Sequence, residues 1–335
     1  MGMLRRLALA FVLVATIVAL GPTAGLAADK VSLRADWLFW AGHLPYVVGK
    51  HHGVFEKNGI DLELIQGSGS AASVKLTATG THQMALASGT NVIMGRAEGL
   101  PIKVVGIVYQ WDPWGFMWLP EAKIKGIKDF KGKRIADTKA SVTYPEMIAA
   151  LKKHGLDPDR DVQVINVQPG GATQAVAAGT ADIGNIMIFR DNFALERITG
   201  KKAQVLPMKD LGVNIYGMTV IANEGFLKEK PDVVRRTLKS LYECWEMVFK
   251  DPAGAVETFH KLGVLKDTAK PASETRRELD GIIPFIKGDV YQARGLGWND
   301  SLRWQDAVGI LLEQKVVTTK VDVNAMFTNE FLPKK

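Results

Sequence analysis

One cysteine stands in 335 residues, Cys244, so no internal disulfide can form and no part of the fold depends on one. It falls in a helical stretch, where a small buried apolar side chain is its ordinary role. Catalytic signatures are missing as well. There is no Gly-x-Ser-x-Gly elbow, no His-Glu-x-x-His and no cysteine–histidine pair in register. Carboxylates are plentiful, yet spacing marks no pair of them for acid–base work. Neither a phosphate loop ending in Gly-Lys-Thr nor a three-glycine dinucleotide fingerprint occurs. His51-His52 has no third ligand spaced to complete a metal site and reads as solvated surface. Lysines and arginines are scattered and alternate with acids, without the basic, aromatic-interleaved stripe that nucleic acid requires. No cofactor is implied. These absences leave a protein that holds something rather than reacts with it.

The first residues are an address. Arg5-Arg6, the apolar run Leu7 to Leu20 and the small residues Ala24-Gly-Leu-Ala-Ala28 predict a cleavable signal peptide over 1–28, cut near Ala27 or Ala28. The run is shorter than the roughly 20 residues that cross a bilayer. The surroundings of Arg5-Arg6 do not extend it to a twin-arginine motif. With no cysteine at the cut, a lipid anchor is not expected, and the product should be a soluble periplasmic protein. Losing the two leader arginines takes the net charge from +7 to about +5, which suits an anionic ligand without demanding one.

What the chain does have is a duplication. Asn58-Gly-Ile-Asp61 leads to Leu62–Gln66, the loop Gly67-Ser-Gly-Ser70, a helix from Ala71 to Thr79, Gly80-Thr81 and the strand Met84–Ala87. About a hundred residues on, His154-Gly-Leu-Asp157 leads to Val162–Val167, Pro169-Gly-Gly171, Ala172–Ala178, Gly179-Thr180 and Asp182–Ile186. Two copies separated by other material predict two similar lobes rather than a solenoid. Each strand–loop–helix–strand copy builds a parallel sheet that offers ligands the carboxyl ends of its strands.

The remaining segments fit that plan. Val31–Ala35 and Ile102–Val108 complete the first lobe, and Tyr109 to Trp118 makes the first passage. Arg134–Ala136 opens the second lobe, and Asp210 to Tyr216 makes the second passage. From Pro231 the chain is nearly all helix, with apolar spacing at Val234, Leu238, Leu241, Trp245 and Val248. The expected fold is α/β and bilobal: two Rossmann-like lobes on a two-strand hinge, with lobe I at 29–118 and 215–335 and lobe II at 119–214.

Candidate site residues follow from that plan. Ser68, Gly69 and Ser70, and Gly170, Gly171 and Thr173, sit at helix starts whose free N–H groups suit a carboxylate, sulfonate or phosphate; each loop also reads as a plain tight turn. Five of the eight tryptophans fall in two short loops, Trp37 and Trp40, then Trp111, Trp114 and Trp118. A ring beyond a strand end can stack on a flat ligand. Trp118 lies inside a strand and reads as packing. His43 reads equally as a ligand contact or a structural histidine. Tyr216 ends the second passage.

Over nearly the whole chain after the leader, these residues resemble the type 2 periplasmic binding proteins of the group that handles thiamine pyrimidine precursors, related to the sulfonate, taurine and nitrate binders. The likeness is carried by Asp36-Trp37 with His43, Gly53 to Asp61, Ala97-Glu-Gly-Leu-Pro101, Asp129 to Arg134, Phe226 to Arg235 and Phe327-Thr-Asn-Glu-Phe-Leu332. It implies a monomeric receptor that delivers its ligand to an ABC permease and its ATPase, with a pyrimidine held between aromatic side chains. It points to Trp37, His43, Ser88, Thr90, Tyr144, Gly171 and the run Met187 to Arg190, which includes Phe189. A sulfonate, nitrate or other small organic anion is the alternative ligand. The same group includes fungal pyrimidine-forming enzymes with a lysine and a histidine near Ser88–Asn91 and a cysteine-rich second passage. Here those places read Ala87-Ser-Gly-Thr-Asn91 and Val213-Asn-Ile-Tyr-Gly217, so no enzyme is expected.

Overall fold

The computed structural model describes residues 28–139, 141, 143–168 and 170–333; the leader, Ala28 apart, lies outside them. Lobe I opens with β1 (Asp29–Arg34), α1 (Leu44–His51), α2 (Val54–Lys57), β2 (Ile60–Ile65), α3 (Ser70–Ala78), β3 (Met84–Ser88), α4 (Gly89–Ala97) and β4 (Ile102–Ile107). Lobe II holds β5 (Trp114–Trp118), β6 (Arg134–Asp137), α5 (Tyr144–Lys153), β7 (Gln163–Asn166), α6 (Ala172–Ala177), β8 (Ile183–Met187), α7 (Asp191–Thr199) and β9 (Gln204–Pro207). The chain returns through β10 (Met218–Asn223) and ends in α8 (Glu224–Glu229), α9 (Pro231–Lys250), α10 (Pro252–Lys261), α11 (Ala272–Ile286), α12 (Asp289–Arg294), α13 (Ser301–Glu313) and α14 (Val323–Met326).

The two five-stranded sheets share one topology. Their orders are β2-β1-β3-β10-β4 and β7-β6-β8-β5-β9. In the first, β1 pairs in parallel with β2 and β3; in the second, β6 pairs in parallel with β7 and β8. In each, the fourth place is taken by an antiparallel strand that has just crossed from the other lobe, β10 in one and β5 in the other. The matched stops have a local cause: Gly80 and Gly179 both end a helix at positive φ, 77° and 71°, where a side chain is strained. The second sheet begins at Trp114, ahead of the boundary expected after Trp118. Strand pairing decides this, because Trp114 to Met117 register against Met187 to Gly184 of β8.

Helices cover the sheet faces, so the inner strand β3 reads as an apolar run, with Met84 to Ala87 all buried, while the edge strand β2 alternates buried and exposed residues at its start. The stripe expected on α9 is buried at every position from Val234 to Val248. Trp245 in its C-terminal half donates to the Tyr46 hydroxyl at 2.9 Å, and Cys244 packs against Gly49 of α1. The buried thiol is pushed up and is a packing residue. Among the described residues, no helix is long and apolar enough to cross a membrane.

The crossings form the hinge. Asp112 N–H donates to the Ile215 carbonyl at 3.1 Å, and Gly217 N–H to the Tyr109 carbonyl at 3.2 Å, so the two passages are tied to each other.

Candidate functional site

The carboxyl ends of β1, β2 and β3 set the lobe I side of the gap. Gly67 must be glycine, since a Cβ there would strike the Ala35 carbonyl. This close approach lets Gly67 and Gly69 N–H donate to the carbonyls of Trp37 and Asp36 at 3.0 and 2.7 Å. The glycine loop thus props up the tryptophan loop, and part of the N–H supply expected for an anion is already taken. Ser70 hydroxyl accepts from Ser88 N–H at 3.1 Å, linking the next strand end. Ser68 accepts from Arg34 at 3.2 Å on the exposed side. On lobe II, Gly170 is exposed at positive φ, Gly171 N–H donates to the Gln168 carbonyl at 2.8 Å, and Thr173 is buried. α6 is only six residues long, a weak dipole for an anion.

Trp37 is 43% exposed, one of few large apolar side chains that face out. With Phe39 and Trp40 it lines a cavity of about 450 Å³, whose far wall is Arg190 and Asp191 with Ala194 and Arg197 of α7. The loop after β1 and the segment after β8 therefore face one another across the lobes; the two glycine loops do not line this cavity. Three of the wall cations are paired, Arg190 with Asp191 at 2.7 Å, Arg197 with Glu274, and Lys270 with the buried Glu278, while Lys266 in the same wall has no acid partner among the described residues. Trp40 is buried, edge-on to His43 at 6.1 Å. His43 is fully buried and its Nε2 meets Asp36 Oδ1 at 2.7 Å, a structural tie.

Nearer the hinge the lobes touch through charge-poor, carboxyl-rich ground. Ser88 caps α4, accepting from Asn91 N–H. Thr90, in the first turn, donates to Glu146 Oε1 of α5 at 2.6 Å, joining lobe I to lobe II. Asp112, Asp137 and Asn185 complete this seam, and Asn185 Nδ2 donates to Asp137 Oδ2 at 2.9 Å. The parallel register of β6 and β8 sets those two side by side at their strand ends. Burial pushes Glu146 up to about 7 and Asp137 to about 6; burial and then the Glu146 charge raise Asp112 well above the carboxylate range. Tyr144 and Trp114 are half-buried beside this ground, at the starts of α5 and β5.

Other expected contacts are held by the protein itself. Arg303 of α13 lies over the rings of both Trp111 and Tyr216, 4.1 Å from each centroid, and donates to the side chain and carbonyl of Gln110. Tyr216 is buried and its hydroxyl accepts from Asp300 N–H at 2.9 Å. These two rings clamp the hinge rather than face the gap. Phe189 is buried edge-on against Phe285 of α11 at 4.4 Å. Met187 N–H donates to Asp191 at 3.0 Å, tying the end of β8 to the start of α7.

The sequence reasoning passed over Asp112, Asp137, Glu146 and Asn185. An acid in a first helical turn, such as Glu146, has a ready explanation in the helix dipole, so nothing in the sequence marks it as buried.

The fold matches solved bilobal periplasmic binding proteins. The aliphatic sulphonate binding protein SsuA from Escherichia coli superposes with a TM-score of 0.70 at 18% identity, over 89% of this chain and 91% of that one. Among curated proteins, the riboflavin-binding protein RibY of Chloroflexus aurantiacus is 24% identical over 93% of this chain and 88% of its own length. The 4-amino-5-hydroxymethyl-2-methylpyrimidine phosphate synthase of Uromyces fabae is 23% identical over 92% of this chain and 89% of its own. The family model described as NMT1/THI5 like matches residues 40–255, and with more than half its length inside that match the chain belongs to this family.

Proposed function

We propose that the chain is the periplasmic substrate-binding component of an ABC importer, which captures a small heteroaromatic molecule between its lobes and delivers it to a permease and its ATPase. The observation that carries this reading is the join itself: two lobes of one topology, tied by paired crossings, meeting through contacts such as Thr90–Glu146 that a bound molecule can share. A ligand touching both lobes favours the closed form in proportion to its extra contacts there. Export rests on the leader at 1–28, and a monomer needs no second copy to complete the cleft.

A flat ring is favoured by the exposed Trp37 and by a cavity within the roughly 300–1,000 Å³ of small-molecule sites. Two of the relatives carry a flavin or a pyrimidine in their names. The sulphonate named for the E. coli structure supports the second reading, a small organic anion. Against it stands the pairing of three of the cavity's cations, Arg190, Arg197 and Lys270, with acids, which leaves Lys266 as the one unpaired cation among the described lining residues. Thermal shift across pyrimidines, flavins, sulfonates and nitrate tests this, since a ligand at 100 times its Kd adds about 2.7 kcal/mol. Stabilisation by sulfonates or nitrate alone would replace the ring with an anion.

The synthase name of the Uromyces relative raises catalysis as a third reading. The seam has no lysine or histidine among its named side chains, and Cys244 is buried under α1. Mixing the protein with pyridoxal phosphate should give no internal aldimine absorbance; a stable band would restore the enzyme reading.

A further inference from the structure

Resting on the proposed cleft between the lobes, we propose that α7 and α11 form an ionic latch, Glu196 and Arg197 against Arg277 and Glu274, which draws the lobes together at the cavity rim before any ligand binds. The two helices belong to different lobes. α7 packs on α6 and β8, whereas α11 packs on α10, which lies on α1. Each helix offers the other one acid and one base. Arg277 donates to Glu196 at 2.6 Å, and Arg197 pairs with Glu274. Glu274 and Arg277 stand three apart on one face of α11 and could satisfy each other, yet both reach across to α7. Arg276 shows the alternative, since it pairs with Asp280 of its own helix at 2.8 Å. Arg277 also lies over the Phe193 ring, 4.0 Å from its centroid, so one side chain grips α7 twice.

The latch is placed for leverage. The other end of α11 is fixed at the hinge, where Gln110 N–H of the first crossing donates to the Phe285 carbonyl at 2.8 Å and Phe285 meets Phe189 edge-on. Glu274 stands about 16 Å back along the helix axis, at 1.5 Å per residue. Arg197 and Glu274 both line the cavity that Trp37 faces, so the ionic end sits at its rim. Arg190, just ahead of α7, and the buried Glu278 of α11 attract each other across the same boundary. The two latch acids are largely buried and the two arginines half-exposed. Such pairs add little to folding and weaken in salt. Between two arrangements of the same lobes, however, a small difference in contacts moves the populations. The latch therefore biases the lobes toward contact without locking them, and a bound molecule still has closure to add.

Solution scattering of the ligand-free mature protein tests this, against salt and in charge-reversed variants. Between about 0.01 and 1 M salt the screening length falls from about 30 to about 3 Å. Over that range the parent's radius of gyration should rise by a few per cent of the roughly 19 Å expected for the folded mature chain. Arg277→Glu, which meets Glu196 with a like charge, should be expanded already at low salt and lose most of the salt response. Adding Glu196→Arg should restore both the compact form and its salt dependence, a rescue that repair of packing alone would not give. If Arg277→Glu fails to fold, Arg197→Glu with Glu274→Arg makes the same test. A parent radius that ignores salt, or a charge swap that does not restore the reversed variant, overturns the latch. These measurements use no ligand, so a protein that answers none of the thermal-shift panel still reports on the latch, and a failed latch leaves the ligand reading to that panel.

Discussion

Glu146, Asp112 and Asp137 place three carboxyls in a seam without a counter-ion, and burial penalises their ionised forms. A folded-state pKa raised above the unfolded value of about 4.3 means that stability is fully present below that pH and is lost as pH rises through the folded value, about 7 for Glu146. Thr90, Asp112 and Asp137 face it from the neighbouring elements. The ligand-free melting temperature should therefore fall between about pH 4.5 and 7, and Glu146→Gln should flatten part of that fall. Parallel pH curves in melting experiments would take Glu146 out of the account. Trp37 is judged by affinity. Trp37→Ala should cost roughly 1–3 kcal/mol of binding, the loss of one stacked aromatic anchor, with folding stability little changed. An unaltered Kd would make it a surface ring.

Among the elements, α11 and α7 are where closure can be disturbed. Arg277 of α11 pairs with Glu196 of α7 at 2.6 Å and lies over Phe193, and Gly281 of α11 sits against Phe189. A Cβ at Gly281 would come within 2.8 Å of the Phe189 ring. Gly281→Leu should act as a wedge. It should enlarge the ligand-free radius of gyration in solution scattering, weaken ligand binding and cost about 1–3 kcal/mol by overpacking. Scattering identical to the parent would show that this contact does not hold the lobes. The α13 residue Arg303 works at the other end, its guanidinium between Trp111 and Tyr216 fixing both crossings to one helix.

The whole molecule is a pair of similar lobes on a two-stranded hinge, and its predicted motion follows from that geometry. Ligand bridging both lobes should lower the radius of gyration relative to the free protein, with the change taken up at Tyr109–Pro113 and Val213–Gly217. Scattering without compaction at saturating ligand would remove hinge closure from the mechanism while leaving the binding site in place.

The duplication was legible because its signals are local. Strand and helix periods, and glycine stops such as Gly80 and Gly179, act over a few residues, and repeating them repeats the topology. The stripe on α9 was legible for the same reason. The roles of Trp111 and Tyr216 were not, since Arg303 reaches them from far along the chain and no local pattern announces it. Nor did the glycine loop reveal that its N–H groups serve Asp36 and Trp37. The sequence by itself determined two lobes and their order of elements, because periodicity and turn chemistry are short-range. Only the tertiary structure decided which polar groups are buried without partners at the seam, because burial and pairing are properties of residues brought together from distant parts of the chain.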